Sequence, residues 1–126
     1  MSDSSHHLHG KTVLNALVPL GRNLRQAIPD VYEAYSQLGK AAMADGDLDR
    51  KTKELIALAI GVVEHCDGCI ASHSHGAARA GASRQEVAEA IGVTFQMHGG
   101  PATVYGARAY DAFCEFADAL EAGDRS

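Results

Sequence analysis

Wherever apolar residues gather in this sequence they return every third or fourth position, and nowhere do they alternate with polar ones over the length of a strand. That periodicity restricts the chain to helices packed on helices, an all-α fold. It predicts a bundle of about five to six helices. A first helix is expected over 11–28, broken near Pro19 to Gly21, with Pro29 as a boundary. A second runs from Pro29 to near Gly46, with Asp30 and Glu33 as a capping box and Val31, Tyr35, Leu38 and Ala42 at helical spacing. The next starts around Asp47 or Asp49, where acidic residues suit the positive end of the helix dipole, and buries Leu55, Ile56, Ala59, Ile60 and Val63. The segment EHCDGCIASHSHG, residues 64–76, opens a further helix that stops at Gly81, a C′ glycine. Ser83 with Glu86 caps another, whose inner stripe is Val87, Ala90, Ile91, Thr94 and Phe95. After HGGP, Pro101 starts the last helix, with Val104, Ala107, Phe113, Phe116 and Leu120 inward.

A chain of 126 residues fits one domain. The opening MSDSSHHLHG is polar and aperiodic, so residues 1–10 read as a flexible arm and 11–126 as the domain; His6, His7 and His9 receive no function. Alanine dominates the apolar residues, and helices surfaced with alanine bury little area each. A homo-oligomer is the expected way to finish such a core. The net charge is −5 and the 11 basic residues are scattered, which argues against nucleic acid as a partner. The run Leu55 to Val63 is too short to span a membrane, and no secretion signal opens the chain. A soluble, cytoplasmic protein is expected. Two of the three cysteines sit as C-x-x-C, which in a reducing compartment reads as a reactive pair rather than a disulfide framework.

On a helix, Cys69 and His73 lie about 40° apart and Cys66 about 60° from Cys69, so the three share a face. The helix N-terminus favours a thiolate, and His73 can accept the thiol proton. Such a pair can be oxidised to a sulfenic acid and resolved to a disulfide. Two other readings stand beside this one. The cysteines could be inert packing residues, or they could contribute to a zinc site with His65 and His75 as further donors, though structural zinc sites draw a second ligand pair from elsewhere in the chain. Cys114 stands alone and is expected to pack inside the last helix. Glu54 interrupts an amphipathic helix where its apolar run begins. It is either a solvated charge or an inward carboxylate needing a partner such as a histidine.

Taken together, Glu54, Cys66, Cys69 and His73 form E-x11-C-x2-C-x3-H, which resembles the signature of the alkylhydroperoxidase D branch of the carboxymuconolactone decarboxylase family. The stretches LDRKTKELIALAIGV and GGPATVYGARAYDAF are also similar to that family's helices, and the likeness covers about residues 29–120. The resemblance implies an all-helical fold whose antiparallel helices assemble into trimers or hexamers around a redox-active dithiol, with no cofactor. It implies a hydroperoxide substrate, with Cys69 as the attacking thiolate, Cys66 as the resolving thiol, His73 receiving the proton and Glu54 polarising His73. The electron donor it implies is a lipoyl-bearing or thioredoxin-like protein thiol. The family's histidine directly before the second cysteine is replaced here by Gly68, so a relay there is missing or supplied otherwise, with His65 a candidate. His98 is a candidate pocket residue. The family's lactone decarboxylases share the fold without the dithiol, so an alternative is lactone processing in a pocket lined by His98, His73 and Glu54. A further alternative is a non-catalytic helical oligomer or metal-binding module.

Overall fold

In a computed structural model of the chain, residues 7–124 are described and form six α-helices, with no strand among them. They are α1 (Gly10–Ala27), α2 (Pro29–Met43), α3 (Arg50–Val63), α4 (Asp67–Arg79), α5 (Arg84–His98) and α6 (Gly100–Glu121). The core is drawn from α3 to α6. Leu58 and Val62 of α3 meet Ile70 and Ala77 of α4, Val87 and Ile91 of α5, and Ala102, Ala109, Ala112, Phe113 and Phe116 of α6. Alanines on the inner side of α6 let neighbouring helices come close, and Phe113 is the largest side chain fully enclosed. Helix α1 lies against α4 and α6, whereas α2 touches only α1 and α3 and buries none of its residues.

Caps and breakers act where the sequence places them in α3 to α6. The Asp49 side chain accepts from the Thr52 N–H at 2.8 Å, closing the start of α3. Ser83 and Glu86 form the reciprocal capping box of α5. Gly81, at φ +88°, ends α4: its N–H reaches the Ala78 carbonyl and that of Ala82 reaches Ala77.

Five expectations are corrected. Helix α1 continues through Pro19 instead of breaking there, because Leu14 is packed against the core and Leu17 against α4 on the same side of the helix, and the lost N–H bond is one among many. No capping box forms at Asp30: Pro29 already occupies the first turn, so Asp30 is inside the helix, and Glu33 accepts from Gln37 at 2.9 Å instead. Helix α2 stops at Met43, short of Gly46. The buried stripe of α3 is Glu54, Leu58, Gly61 and Val62, an i, i+4, i+7, i+8 pattern, while Ile56 and Ile60 face outward. Phe95 of α5 and Val104 and Ala107 of α6 are likewise exposed. Of the arm expected over 1–10, residues 1–6 lie outside the described residues, while His7 and His9 each hold an acid and Gly10 opens α1.

Candidate functional site

The end of α3 builds the start of the site. Its last turn closes as a Schellman motif in which the His65 N–H bonds to the Val62 carbonyl at 3.2 Å and the Cys66 N–H to the Gly61 carbonyl at 3.1 Å. His65 therefore occupies the left-handed position that glycine normally takes, at φ +57°. Tertiary contacts hold it there. Its ring stacks on Tyr105 at 4.2 Å with 5° between planes, Arg108 sits over the same Tyr105 ring at 4.9 Å, and Nε2 lies 3.1 Å from Nε2 of His98. Of those two facing nitrogens one carries the proton and donates to the other.

Cys66, the residue after this turn, is also the N-cap of α4. Its Sγ accepts from the Cys69 N–H at 3.2 Å, and the two cysteines form a disulfide with Cα atoms 5.2 Å apart. The carbonyl of Cys66 takes the Ile70 N–H at 2.9 Å, so the dithiol is wound into the first turn of α4. A Cβ on Gly61 would stand 3.3 Å from the Cys69 Cβ; this glycine lets α3 lie directly against the dithiol turn. Cys69 is exposed and Cys66 half-buried.

One turn beyond Cys69, His73 donates or shares its Nδ1 proton with Glu54 Oε1 at 2.7 Å. The carboxylate is 3% exposed. Its second oxygen accepts from Arg50 Nε at 3.1 Å, so both oxygens are partnered, as a buried charge requires. Gly76 makes room for this arrangement, because a Cβ there would overlap the carboxyl group of Glu54. With Nδ1 committed to Glu54, the other ring nitrogen is the one free to exchange a proton. Thus Glu54, Cys66, Cys69 and His73 are brought to one place, from α3 and α4. Arg50 and Gly76 complete it and were not singled out in the sequence. The signals were present, in the i, i+4 spacing of Arg50 to Glu54 and in a mid-helix glycine on the same side as His73.

A cavity of about 520 Å³ opens beside the pair, lined by Met43 of α2, Arg50 and Glu54 of α3, and Ser72, His73 and Arg79 of α4 among others. Neither cysteine lines it, whereas His73 does. His98 does not line it either, being turned to His65. His75 stacks on Phe116 at 4.6 Å, away from the dithiol, and Cys114 is half-buried on α6. Among the described residues no group of three or more histidines, cysteines and acids is placed to hold a metal ion. No described helix is long and apolar enough to cross a membrane.

Comparison with known proteins gives one consistent result. The profile of the carboxymuconolactone decarboxylase family matches residues 29–123. The chain is 39% identical over 99 residues to an uncharacterized protein of Cupriavidus necator, covering 79% of this chain and 84% of that one. Its fold is similar to the crystal structure of an apo carboxymuconolactone decarboxylase family protein from Legionella pneumophila, with a TM-score of 0.81, 39% identity, and coverage of 83% and 94% of the two chains. A family protein from Thermotoga maritima, described with a possible involvement in antioxidative response, matches with a TM-score of 0.74 and 28% identity over 86% of this chain and 96% of that one.

Proposed function

Because the chain belongs to the carboxymuconolactone decarboxylase family, we propose that it is a dithiol oxidoreductase that reduces hydroperoxides to alcohols, cycling Cys66 and Cys69 between thiols and a disulfide. The observation that carries this reading is a joined Cys66–Cys69 pair at a helix N-terminus, one turn from a histidine held by a buried carboxylate. In the reduced protein His73 takes the proton of the Cys69 thiol. The resulting thiolate attacks the outer peroxide oxygen; the O–O bond breaks, and the alkoxide leaves as the alcohol with the proton from His73. Cys69 is left as a sulfenic acid. The Cys66 sulfur then attacks the Cys69 sulfur, and hydroxide departs as water with the Cys66 proton. Two electrons have passed from two thiols to one peroxide. A protein dithiol, lipoyl-bearing or thioredoxin-like, returns them in a reducing compartment such as the cytoplasm.

Titrating free thiols before and after one equivalent of cumene hydroperoxide tests this cycle, with mass spectrometry locating the new bond. Two thiols should disappear. Cys69→Ser should abolish turnover, and Cys66→Ser should leave a sulfenic acid that dimedone traps. Peroxide consumption indifferent to both serine changes rejects the proposal.

The cavity supports a second reading, acid–base processing of a carboxylated lactone, because Arg50, Arg79, Glu54 and His73 line it while the cysteines do not. That activity would survive Cys66→Ser/Cys69→Ser and be lost with His73→Gln. We also propose that the working form is a homo-oligomer, a trimer or hexamer, because α2 leaves Val31, Tyr35 and Leu38 bare.

A further inference from the structure

The two residues between the cysteines are gripped from outside the site. His7 Nε2 lies 3.0 Å from Oδ1 of Asp67, the first residue of α4. Leu17 of α1 rests on Gly68, its Cδ1 3.2 Å from where a Cβ would stand. The segment that carries His7 is itself tied down. His9 Nε2 holds Asp111 of α6 at 2.7 Å, the Lys11 backbone N–H donates to Glu115 Oε1 at 2.8 Å, and the rings of His7 and His9 stack at 5.8 Å.

An acid at this position works against a thiolate. Asp67 competes with the Cys66 and Cys69 sulfurs for the same positive helix end and repels any charge on them. A hydrogen bond from His7 draws charge off the carboxylate and relieves that repulsion. The pair is partly exposed, so it adds little to overall stability. Its effect falls on the sulfurs beside it.

We propose that His7 and Leu17 are positioning residues that act through Asp67 and Gly68 to set the reduction potential of the Cys66–Cys69 couple, holding the reduced form more stable than the dithiol turn alone would. The proposal rests on the dithiol cycle above. In exchange with glutathione, one thiolate attacks the Cys69 sulfur and Cys66 leaves as a thiolate that takes a proton. A second glutathione attacks the bound glutathione sulfur, releasing glutathione disulfide and the Cys69 thiol. Two electrons and two protons enter the protein for each pair of glutathiones oxidised.

The full chain equilibrated in glutathione buffers gives the equilibrium constant directly. His7→Ala should shift it toward the protein disulfide by about threefold to tenfold, tenfold being ~30 mV for this two-electron couple. Asp67→Asn should shift it the other way. His7→Ala added to Asp67→Asn should do nothing more, because its target is gone. Leu17→Ala should move the equilibrium while leaving the Asp67 effect intact. A role confined to folding would lower the melting temperature of these variants and leave the equilibrium constant in place. If the wild-type chain exchanges with glutathione and the His7, Asp67 and Leu17 variants all share its constant, this proposal is overturned and the dithiol cycle stands. If the wild-type chain forms no disulfide in any buffer, the cycle itself fails.

Discussion

Gly76 decides whether Glu54 and His73 can meet. Replacing a mid-helix glycine by alanine ordinarily adds about 0.5–1 kcal/mol, because the unfolded chain loses freedom and the helix gains a better former. At Gly92 of α5, where an added Cβ meets nothing within 4 Å, that gain should appear in full. At Gly76 the same methyl would stand 2.6 Å from Glu54 Oε1. The carboxylate must then leave its position between His73 and Arg50, and a buried charge stripped of its partners costs about 3–5 kcal/mol. The loss exceeds the gain severalfold. Gly76→Ala is therefore expected to destabilise the protein by roughly 2–4 kcal/mol in urea unfolding, and to cut peroxide turnover by about 10²-fold or more as His73 loses its orientation. Gly92→Ala should stabilise it and leave turnover alone. Equal behaviour of the two variants would show that the space at Gly76 has no part in placing Glu54.

Helix α4 carries the site on one side and a titrating contact on another. His75 packs its ring on Phe116; burial, with Arg79 and Lys11 nearby, holds it below its ordinary pKa. The folded protein thus prefers the neutral ring. As pH falls below about 6.5 the unfolded chain binds a proton that the folded chain resists, so the contribution of His75 is whole above that pH and is lost as the pH drops to the folded value. Carboxylates behave separately: Asp49, lowered by hydrogen bonds from Thr52, and Glu86, lowered by Ser83 and Lys51, keep their contributions down to their ordinary carboxylate range and lose them only as the pH falls below it. Unfolding free energy measured between pH 7 and 5 should decline in the wild-type chain and flatten in His75→Gln. An unchanged slope would assign the decline to another group. At this scale the sequence was readable where a local signal decides the outcome. Asp49, Ser83 with Glu86, and Gly81 act through neighbours within a few residues, and each sits where its chemistry predicts. Asp30 failed because Pro29 one residue earlier decides where that helix begins. Cys66, Cys69 and His73 could be placed on one face from spacing. The bond from His73 to Glu54 could not, because it depends on how α3 is rotated against α4, and that rotation follows from Gly61 of α3 and Gly76 of α4 letting the two helices approach rather than from the Leu55, Ile56 and Ile60 pattern.

In the whole molecule, several apolar residues that recur at helical spacing lie bare. Ile56 and Ile60 of α3, Phe95 of α5 and Val104 of α6 are each about half exposed, and Val31, Tyr35 and Leu38 of α2 are 60–72% exposed. Apolar periodicity reports that a helix side will be covered; it carries no information on whether the cover comes from the same chain or another. Helix α2 makes the distinction clear. It has an amphipathic sequence and the support of only α1 and α3, and an isolated helix of 15 residues is marginal in water. The proposed self-association would cover Tyr35 and Leu38 and so support α2. Sedimentation should then find a mass that is a multiple of 13.2 kDa, with a melting temperature that rises with protein concentration, since an associated native state is favoured by mass action. Tyr35→Glu with Leu38→Glu places two charges in that contact and should shift the population toward single chains, flatten the concentration dependence and lower the helical content by an amount consistent with unwinding α2. The cavity beside His73 should suffer as well, because Gly39 and Met43 of α2 form one of its walls. A wild-type chain that sediments at 13.2 kDa at every concentration, with α2 intact, would mean that two neighbouring helices are enough to hold α2 and that its bare apolar side is not a contact.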